Sequence, residues 1–251
     1  MINIAYNIDC MEYMKTVPDG YFDLCVCDPP YGLSITARHP EHTHTARAAI
    51  VGGGGRPFGG KKGTSVWKKQ KSLGISKFYP VFDDSSPPDE RAFRELFRIA
   101  KNVIIWGGNF FLSYLGPASC MIVWDKKRRG LDQADCEIAW TNLKQQSRIF
   151  EYKWNGMLQE NMKNKQIRIH ATEKPFALYT YCYQLCGLKP GDKVFDGYLG
   201  SGSSRIAAYD MGLDFIGCEI DKTIFDLQEQ RFADYTAQES LFANDYEQMT
   251  I

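Results

Sequence analysis

The chain has 251 residues, 44% of them hydrophobic, so it can bury one sizeable core or a core with a small appendage. Thirty basic residues balance thirty acidic ones, and this net charge of zero does not point to a nucleic-acid partner. None of the eight cysteines forms a Cys-x-x-Cys pair, which is typical of reduced, buried thiols. No apolar run is long enough to span a membrane, and the amino terminus lacks a secretory pattern. We therefore expect a cytoplasmic protein that does not contact membranes.

Strand and helix patterns alternate along most of the chain, which predicts a Rossmann-like α/β fold with a mostly parallel sheet and helices on both faces. The predicted strands are 2–8, 22–27, 102–106, 120–125, 135–141, 193–196 and 214–218. The predicted helices are 9–16, 88–101, 174–186, 202–211 and 222–236. Thr172 is the predicted cap of the helix at 174–186, and Gly187 is expected to end that helix.

The tetrapeptide Asp28-Pro29-Pro30-Tyr31 directly follows the apolar run 22–27, which is typical of a buried parallel strand. The tetrapeptide is therefore expected at the carboxyl edge of the sheet, where open α/β sheets hold their ligands. Proline has no N–H group, so carbonyls at this turn point outward and can accept hydrogen bonds. An exocyclic amino group of a nucleobase offers two N–H donors and a flat ring. A carboxylate, a carbonyl and an aromatic side chain match it, which favours methyl transfer to such an amine.

The stretch from Gly32 to Tyr79 breaks the alternation of strands and helices. Between positions 32 and 77 it contains nine Lys or Arg and a single acid, Glu41, which gives a local charge of +8. We interpret 33–80 as a flexible basic insert that contacts the phosphates of double-stranded DNA, although a solvated insertion is an alternative. The predicted DNA-binding residues are Arg38, Arg47, Lys61, Lys62, Trp67 and Lys68, together with Lys127 and Arg128 of the basic turn 126–130.

A second motif, Asp196-Gly197-Tyr198-Leu199-Gly200-Ser201-Gly202, joins the predicted strand 193–196 to the helix at 202–211. Gly-x-Gly alone fits a dinucleotide, another small molecule or tight packing. The fuller Gly-x-Gly-x-x-Gly of pyrophosphate sites is absent, and an acidic Asp196 favours a cationic ligand. Glu219 follows the next strand and can accept hydrogen bonds from both hydroxyls of a ribose. S-adenosylmethionine, which carries a ribose, an ammonium group and a sulfonium, fits these residues better than a nicotinamide.

In this order the motifs resemble the β group of amino-methylating DNA methyltransferases, in which the catalytic motif precedes the cofactor motif in a circularly permuted chain. The order here is Asn7-Ile8-Asp9-Cys10, the tetrapeptide, His170-Ala171-Thr172-Glu173-Lys174-Pro175, Asp196 to Ser204, and Glu219. The resemblance implies one methyltransferase domain over 1–251 with the class I fold of S-adenosylmethionine-dependent enzymes. It leaves 33–80 and 143–168 as inserts, and the second is a candidate for target recognition. Gly197, where the family usually has proline, and Gly32, where it often has asparagine, depart from the pattern.

The resemblance implies that Asp28 and the Pro29 carbonyl accept the two hydrogens of the target amine, while Tyr31 stacks on the base. The amine nitrogen then attacks the sulfonium methyl group in line, after the base has left the duplex. The cofactor is S-adenosylmethionine, with Asp9 near its adenine, Lys174 near its carboxylate and Glu219 at its ribose. The remaining residues assigned to catalysis or to the cofactor are Pro30, Cys10, Asp196, Gly197, Tyr198, Gly200, Ser201 and Gly202, and Asp28 is assigned to both.

Adenine N6 is the predicted target. Cytosine N4 remains open because it uses the same geometry, although that subgroup more often has serine in place of Asp28. An RNA methyltransferase is disfavoured by the motif order, and a non-catalytic regulator that binds cofactor and DNA is disfavoured by the intact tetrapeptide. The histidines near Glu41 lack further ligands, so no metal site is predicted. The sequence leaves open whether the protein forms a homodimer, which DNA sequence it recognises and whether it has a restriction partner.

Overall fold

Eight strands form the central sheet of the structure, a computed structural model that describes residues 1–33, 86–130, 134–155, 158–163, 165–166, 168–170 and 172–248. In chain order the strands are β1 (Asn3–Tyr6), β2 (Phe22–Cys27), β3 (Ala100–Trp106), β4 (Cys120–Asp125), β5 (Cys136–Thr141), β6 (Arg148–Glu151), β7 (Trp154–Asn155), β8 (Leu158–Gln159), β9 (Lys193–Asp196) and β10 (Asp214–Cys218). Strands β7 and β8 form a separate antiparallel pair.

The strand order of the central sheet is β1-β10-β9-β2-β3-β5-β4-β6. Every neighbouring pair is parallel except β3 with β5 and β5 with β4, so β5 alone runs against the other strands. The predicted mostly parallel sheet is confirmed. Because β5 is reversed, its first residues lie at the same edge as the last residues of all the other strands. This edge is called the carboxyl edge below.

Six helices are described, and they lie on both faces of the sheet as predicted. They are α1 (Cys10–Met14), α2 (Glu90–Ile99), α3 (Leu112–Leu115), α4 (Phe176–Leu185), α5 (Ser203–Asp210) and α6 (Lys222–Gln248). Residues of α4 and α5 pack in one buried cluster with Leu24 and Val26, whereas α1, α2 and α3 pack in the other with Cys25 and Cys27. Strand β2 is therefore buried on both faces, as its unbroken apolar run predicts.

The start of α4 differs from the sequence-based prediction. Its N-cap is Pro175, which has an extended backbone and makes no side-chain capping bond, so the prediction that Thr172 caps this helix is wrong. The Thr172 hydroxyl lies 3.2 Å from His170 Nδ1 instead. The last helix also continues to Gln248, beyond the predicted end at 236.

The structure describes most of one of the two predicted inserts, the segment 143–168. Part of the segment 143–168 belongs to the central sheet, since β6 lies at one sheet edge and pairs parallel with β4. The role of this segment in target recognition stays a prediction. Nearly all of the basic insert 33–80 lies outside the described residues. Of the described helices, none is long and apolar enough to cross a membrane.

The packing of β2 can be tested by truncating Leu24, whose side chain is completely buried. We expect Leu24→Ala to lower the free energy of unfolding by about 2–5 kcal/mol, because apolar contacts are lost and a cavity remains. Ile149→Ala on edge strand β6 is the control, since Ile149 is 66% exposed and its truncation should change stability by less than about 0.5 kcal/mol. Urea unfolding measures both values, and equal losses would contradict this account of the core.

Candidate active site at the carboxyl edge of the sheet

A single cleft of about 960 Å³ lies at the carboxyl edge and joins the two motifs found in the sequence. They meet because β2 and β9, which precede them, are neighbours in the sheet, with Cys25 opposite Phe195. Most of the predicted catalytic and cofactor residues line this cleft. They are Asp9, Cys10, Asp28, Pro29, Pro30, Tyr31, Lys174, Gly197, Tyr198, Gly200, Ser201 and Glu219, while Asp196 and Gly202 lie in the same loop beneath its surface.

The Tyr31 ring of the tetrapeptide packs closely against the backbone of a glycine. Gly107 directly follows β3 with a φ of +68°, and a Cβ atom added there would lie 2.1 Å from Cε1 of Tyr31. The Tyr31 ring also stacks on Phe110 with ring centroids 5.0 Å apart. The Tyr31 hydroxyl donates a 2.6 Å hydrogen bond to Asp28 Oδ1. The ring and the carboxylate are therefore positioned as one unit.

The second oxygen of Asp28 forms an ion pair with the ammonium group of Lys174, which is 4% exposed. The same ammonium group lies 3.2 Å from Glu137 Oε2 and donates to the Tyr31 hydroxyl at 3.2 Å. Burial would lower the pKa of Lys174, but Asp28 and Glu137 outweigh it and hold this pKa above its ordinary value. Lys174 therefore carries its charge beside the Asp28 carboxylate. Its predicted contact with a cofactor carboxylate stays a prediction.

Glu137 extends this group of charges along the carboxyl edge to β5 and β4. It lies near the start of the reversed strand β5, and its Oε1 forms an ion pair with Lys126, which directly follows β4. Burial would raise the pKa of Glu137, but Lys174 and Lys126 lower it to about 2. Burial in turn lowers the pKa of Lys126. Glu137 is therefore ionised at neutral pH and lies between two cations.

The glycine-containing loop meets the acidic residue that follows β10. The N–H of Gly200 donates to Glu219 Oε2 at 2.8 Å, and the N–H of Asp221 donates to Glu219 Oε1 at 2.9 Å. Burial raises the pKa of Glu219. Gly200 and Gly202 both have positive φ values, 52° and 74°, which glycine adopts without steric cost. The glycine turn and Glu219 thus lie together at the cleft. An acid next to a glycine turn is the combination that a ribose-binding site requires.

Asp196 lies under this loop and is 1% exposed. Burial raises its pKa to about 7 against hydrogen bonds from Ser204 and Tyr198, with Asp28 and Glu219 contributing to the rise. The Ser204 hydroxyl donates to Oδ2 at 2.6 Å, and the Tyr198 N–H donates to Oδ1 at 3.0 Å. The carboxyl group is therefore part of the loop's internal structure.

The structure gives a local reason for Gly197, which stands where the related family usually has proline. Its N–H contacts Cys27 Sγ at 3.5 Å, and a Cβ atom at position 197 would lie 3.2 Å from Cys10 Cβ. Proline would remove this donor and add a ring to a tight contact. The neighbouring Tyr198 hydrogen-bonds to Cys10, so the aromatic contact of the motif is retained.

Arg231 on α6 joins two segments of the site that are distant in sequence. One of its nitrogens donates to the Ser201 carbonyl at 2.8 Å and the other lies 3.0 Å from Glu173 Oε1. Glu173 also accepts a 2.8 Å hydrogen bond from the Ile169 N–H. The last helix therefore holds the cofactor-type loop and the segment before α4 together.

Two of the predicted DNA-binding residues can be located. The Lys127 ammonium lies 3.4 Å from Glu151 and 3.8 Å from Glu160, and Arg128 donates to the Ala134 carbonyl at 3.2 Å while lining the cleft. Arg128 therefore lies at the cleft, whereas Lys127 is paired with Glu151 and Glu160. The remaining predicted contacts, Arg38, Arg47, Lys61, Lys62, Trp67 and Lys68, lie outside the described residues.

Comparison with known proteins connects this site to one family. Residues 63–230, more than half of the chain, match the N6/N4 DNA methylase family. The chain belongs to this family. The family uses S-adenosylmethionine, and the resemblance to amino-methylating DNA methyltransferases drawn from the motifs is confirmed. The cleft has room for this cofactor, since a glycine turn and the buried acid Glu219 line it and its volume lies near the upper end of the usual range for small-molecule sites.

Relatives of this DNA methylase align over nearly all of the chain. The type II methyltransferase M2.DpnII of Streptococcus pneumoniae is 28% identical over 91% of this chain and 88% of its own length. The type II methyltransferase M.HinfI of Haemophilus influenzae is 22% identical over 92% of this chain and 68% of its own length. The fold is shared with the cytosine-N4-specific DNA methyltransferase PvuII, which has a TM-score of 0.55 and 12% identity over 91% of this chain and 85% of its own.

Four residues that shape the site were not assigned roles from the sequence. Glu137 is the single charged residue of β5, and this pattern is a usable signal, but its place at the carboxyl edge depends on the reversed strand direction. Gly107 and Lys126 follow strands β3 and β4 as Asp28 follows β2, so their position was in principle readable. Arg231 is indistinguishable by sequence from the other charged residues of α6.

The contact between Gly107 and Tyr31 predicts that the alanine side chain introduced by Gly107→Ala lowers activity. Gly107→Ala should displace the Tyr31 ring and lower kcat about 10²-fold, since a misplacement of about 1 Å has effects of this size. Gly187→Ala is the control, because Gly187 has a similar φ of +71° but no heavy atom within 4 Å of an added Cβ. Steady-state methylation assays with both variants test this, and equal losses would show that backbone strain alone is responsible.

The raised pKa of Asp196 predicts a pH-dependent stability. An unfolded aspartate titrates near about 3.9, so between pH 4 and 7 the folded protein binds the extra proton and the free energy of unfolding falls as pH rises. Asp196→Asn removes this dependence. The stability difference, wild type minus variant, should therefore be smaller at pH 8 than at pH 5 by about 1–3 kcal/mol in urea unfolding. Asp226→Asn, at an exposed ion pair, should show no such change between the two pH values.

Proposed function

We propose that this DNA methylase transfers a methyl group from S-adenosylmethionine to the N6 amino group of a flipped-out adenine in double-stranded DNA. The observation that carries the proposal is the fixed pair of Asp28 and Tyr31 in the same cleft as the glycine loop and Glu219. The fold is shared with a cytosine-N4-specific enzyme and does not distinguish the two amines. The choice of adenine rests on Asp28, where N4-cytosine enzymes more often have serine.

Asp28 can accept a hydrogen bond from the target amine although both of its oxygens already have partners. Tyr31 donates to Oδ1 and Lys174 forms an ion pair with Oδ2, but each carboxylate oxygen has two lone pairs. The Pro29 carbonyl is the second proposed acceptor. Acceptors for both hydrogens favour a more tetrahedral, nucleophilic nitrogen and stabilise the positive charge that develops on it, without a covalent enzyme intermediate.

The residues on the other side of the cleft bind and orient the methyl donor. Glu219 is proposed to accept from the ribose hydroxyls, Gly200 and its neighbours to face the methionine portion, and Asp9 to lie near the adenine. The bound cofactor supplies an electrophilic methyl group on a sulfonium. The protein's contribution is to hold the amine in line with that methyl group and to exclude water from the cleft.

The proposed DNA contacts come from two basic parts of the chain. Arg128 lines the cleft after β4, Lys127 precedes it in the chain, and the basic segment 33–80 follows the tetrapeptide in sequence. Positive side chains at these places suit phosphate contacts, which make binding strongly salt-dependent. The Tyr31 ring, with Phe110 stacked beside it, offers an aromatic surface for a base that has left the duplex.

The proposal is tested by incubating the protein with radiolabelled S-adenosylmethionine and unmethylated genomic DNA, followed by digestion to nucleosides. We expect label in N6-methyladenosine, and Asp28→Ala should reduce the rate by about 10²–10³-fold while S-adenosylmethionine still binds, because one stabilising contact of the transition state is lost. The exposed Asp226→Ala is the control and should keep the wild-type rate.

Three other outcomes would contradict the proposal. Label in N4-methylcytosine would identify cytosine as the target base. Label in RNA but not in DNA would overturn the substrate. Absence of transfer from a wild-type protein that binds S-adenosylmethionine would indicate a non-catalytic DNA-binding protein.

A further inference from the structure

We propose that Glu137 is a positioning residue for the methyl transfer, which holds the Lys174 ammonium group against Asp28 while Lys126 balances the charge of Glu137. The inference rests on the proposed function, because it assumes that Asp28 accepts the target amine. It concerns four groups that alternate in sign along the carboxyl edge, in the order Asp28, Lys174, Glu137 and Lys126. These four residues are called the charge chain.

The first step is the coordination of Lys174. Its ammonium group has three N–H donors, and three oxygens surround it, from Asp28, Glu137 and the Tyr31 hydroxyl. Two of these oxygens belong to the tetrapeptide, and the third, Glu137 Oε2 on β5, makes an ion pair with Lys174 at 3.2 Å. When Asp28 also accepts from a target amine, its interaction with Lys174 weakens. Glu137 does not contact the target amine, so its ion pair keeps Lys174 in place.

The second step is the position of Glu137 itself. One carboxylate oxygen faces Lys174 and the other faces Lys126, so rotation of this side chain would break both ion pairs. Glu137 lies opposite Trp124 in the β4–β5 register, and the Lys126 ammonium lies 4.7 Å from the centre of the Trp124 ring. The pairing of β4 with β5 therefore fixes the position of Glu137 relative to Lys126 and the cleft.

The third step is the charge balance. With all four groups ionised the charge chain is neutral, since two carboxylates face two ammonium groups. Loss of Glu137 would leave two ammonium groups and one carboxylate in a region where Lys126 and Lys174 are 8% and 5% exposed. Such an excess favours loss of a proton from a buried lysine. A neutral Lys174 would no longer form the ion pair that orients the Asp28 carboxylate.

Removal of the Glu137 charge and removal of the Lys126 charge should therefore shift the pKa of Lys174 in opposite directions. Glu137 raises the pKa of Lys174, so Glu137→Gln lowers it, whereas Lys126→Met removes a neighbouring cation and raises it. The titratable groups that face Lys174 are Asp28 and Tyr31 after β2, Lys126 after β4, Glu137 on β5, and His170 before α4.

The experiment measures kcat, KM for DNA and the Kd of S-adenosylmethionine for the wild type and Glu137→Gln between pH 6 and 10. We expect kcat to fall about 10–100-fold, with KM and Kd within twofold of the wild type, and an alkaline limb to move down into this pH range, where the raised pKa of wild-type Lys174 keeps it charged. In Lys126→Met the alkaline limb should not move to lower pH.

Glu229→Gln is the matched control, because Glu229 forms a 2.6 Å ion pair with buried Arg205 away from the cleft. Loss of this pair should lower thermal stability but leave kcat and the pH profile unchanged. If Glu137→Gln behaves like Glu229→Gln, the role of Glu137 is structural and the inference is overturned. The same holds if kcat falls without any movement of the alkaline limb.

A readout without activity separates this inference from the proposed function. Acetylation of Lys174 by acetic anhydride, followed across pH by peptide mass spectrometry, reports the protonation of its amine. In Glu137→Gln the half-point of acetylation should move to lower pH, whichever base or nucleic acid the enzyme methylates. An unchanged half-point would overturn the inference, whereas a shifted half-point in a protein that does not methylate DNA would contradict the proposed function alone.

Discussion

The site depends on a positive charge, the Lys174 ammonium group, buried beside the carboxylate of Asp28. Taking an ammonium group out of water is costly unless opposite charges and hydrogen bonds replace the lost hydration. Lys174 meets this requirement with oxygens from two separate strands and the Tyr31 hydroxyl. The requirement explains why an acid occurs in the otherwise uncharged strand β5, and why a lysine directly follows β4. The Asp28–Tyr31 tetrapeptide is therefore supported by charges from the segment before α4, from β5 and from the residue after β4.

The sheet brings these charges together because of its strand directions. Parallel strands place their following turns at one edge, so the residues after β2, β3, β4, β9 and β10 all reach the same cleft. The reversed strand β5 contributes from its beginning instead. The helices on either face bury the strands between them and leave the edge as the exposed functional surface. The circular permutation changes the order of the motifs in the chain but keeps β2 and β9 adjacent.

Much of this arrangement was predictable from local sequence. The strands 22–27, 120–125, 193–196 and 214–218 were predicted with the bounds that the structure has, because apolar runs next to turn residues give a clear signal. Short β6 carries few apolar residues, and the direction of β5 depends on pairing that a single sequence does not encode locally. Glu137 was missed for the second reason. Thr172 was wrongly assigned as a cap because its hydroxyl contacts His170 and Pro175 begins the helix.

The hairpin of β4 and β5 differs from the other described connections at this edge, because β4 ends there and β5 begins there. Its base is fixed on both sides, by Lys126 on one strand and Glu137 on the other, and these two side chains are joined to each other. The turn between them can therefore change in length or composition without displacing the residues that support Asp28. Such an arrangement separates the turn from the residues around Asp28, so variation in the turn leaves the charge chain intact.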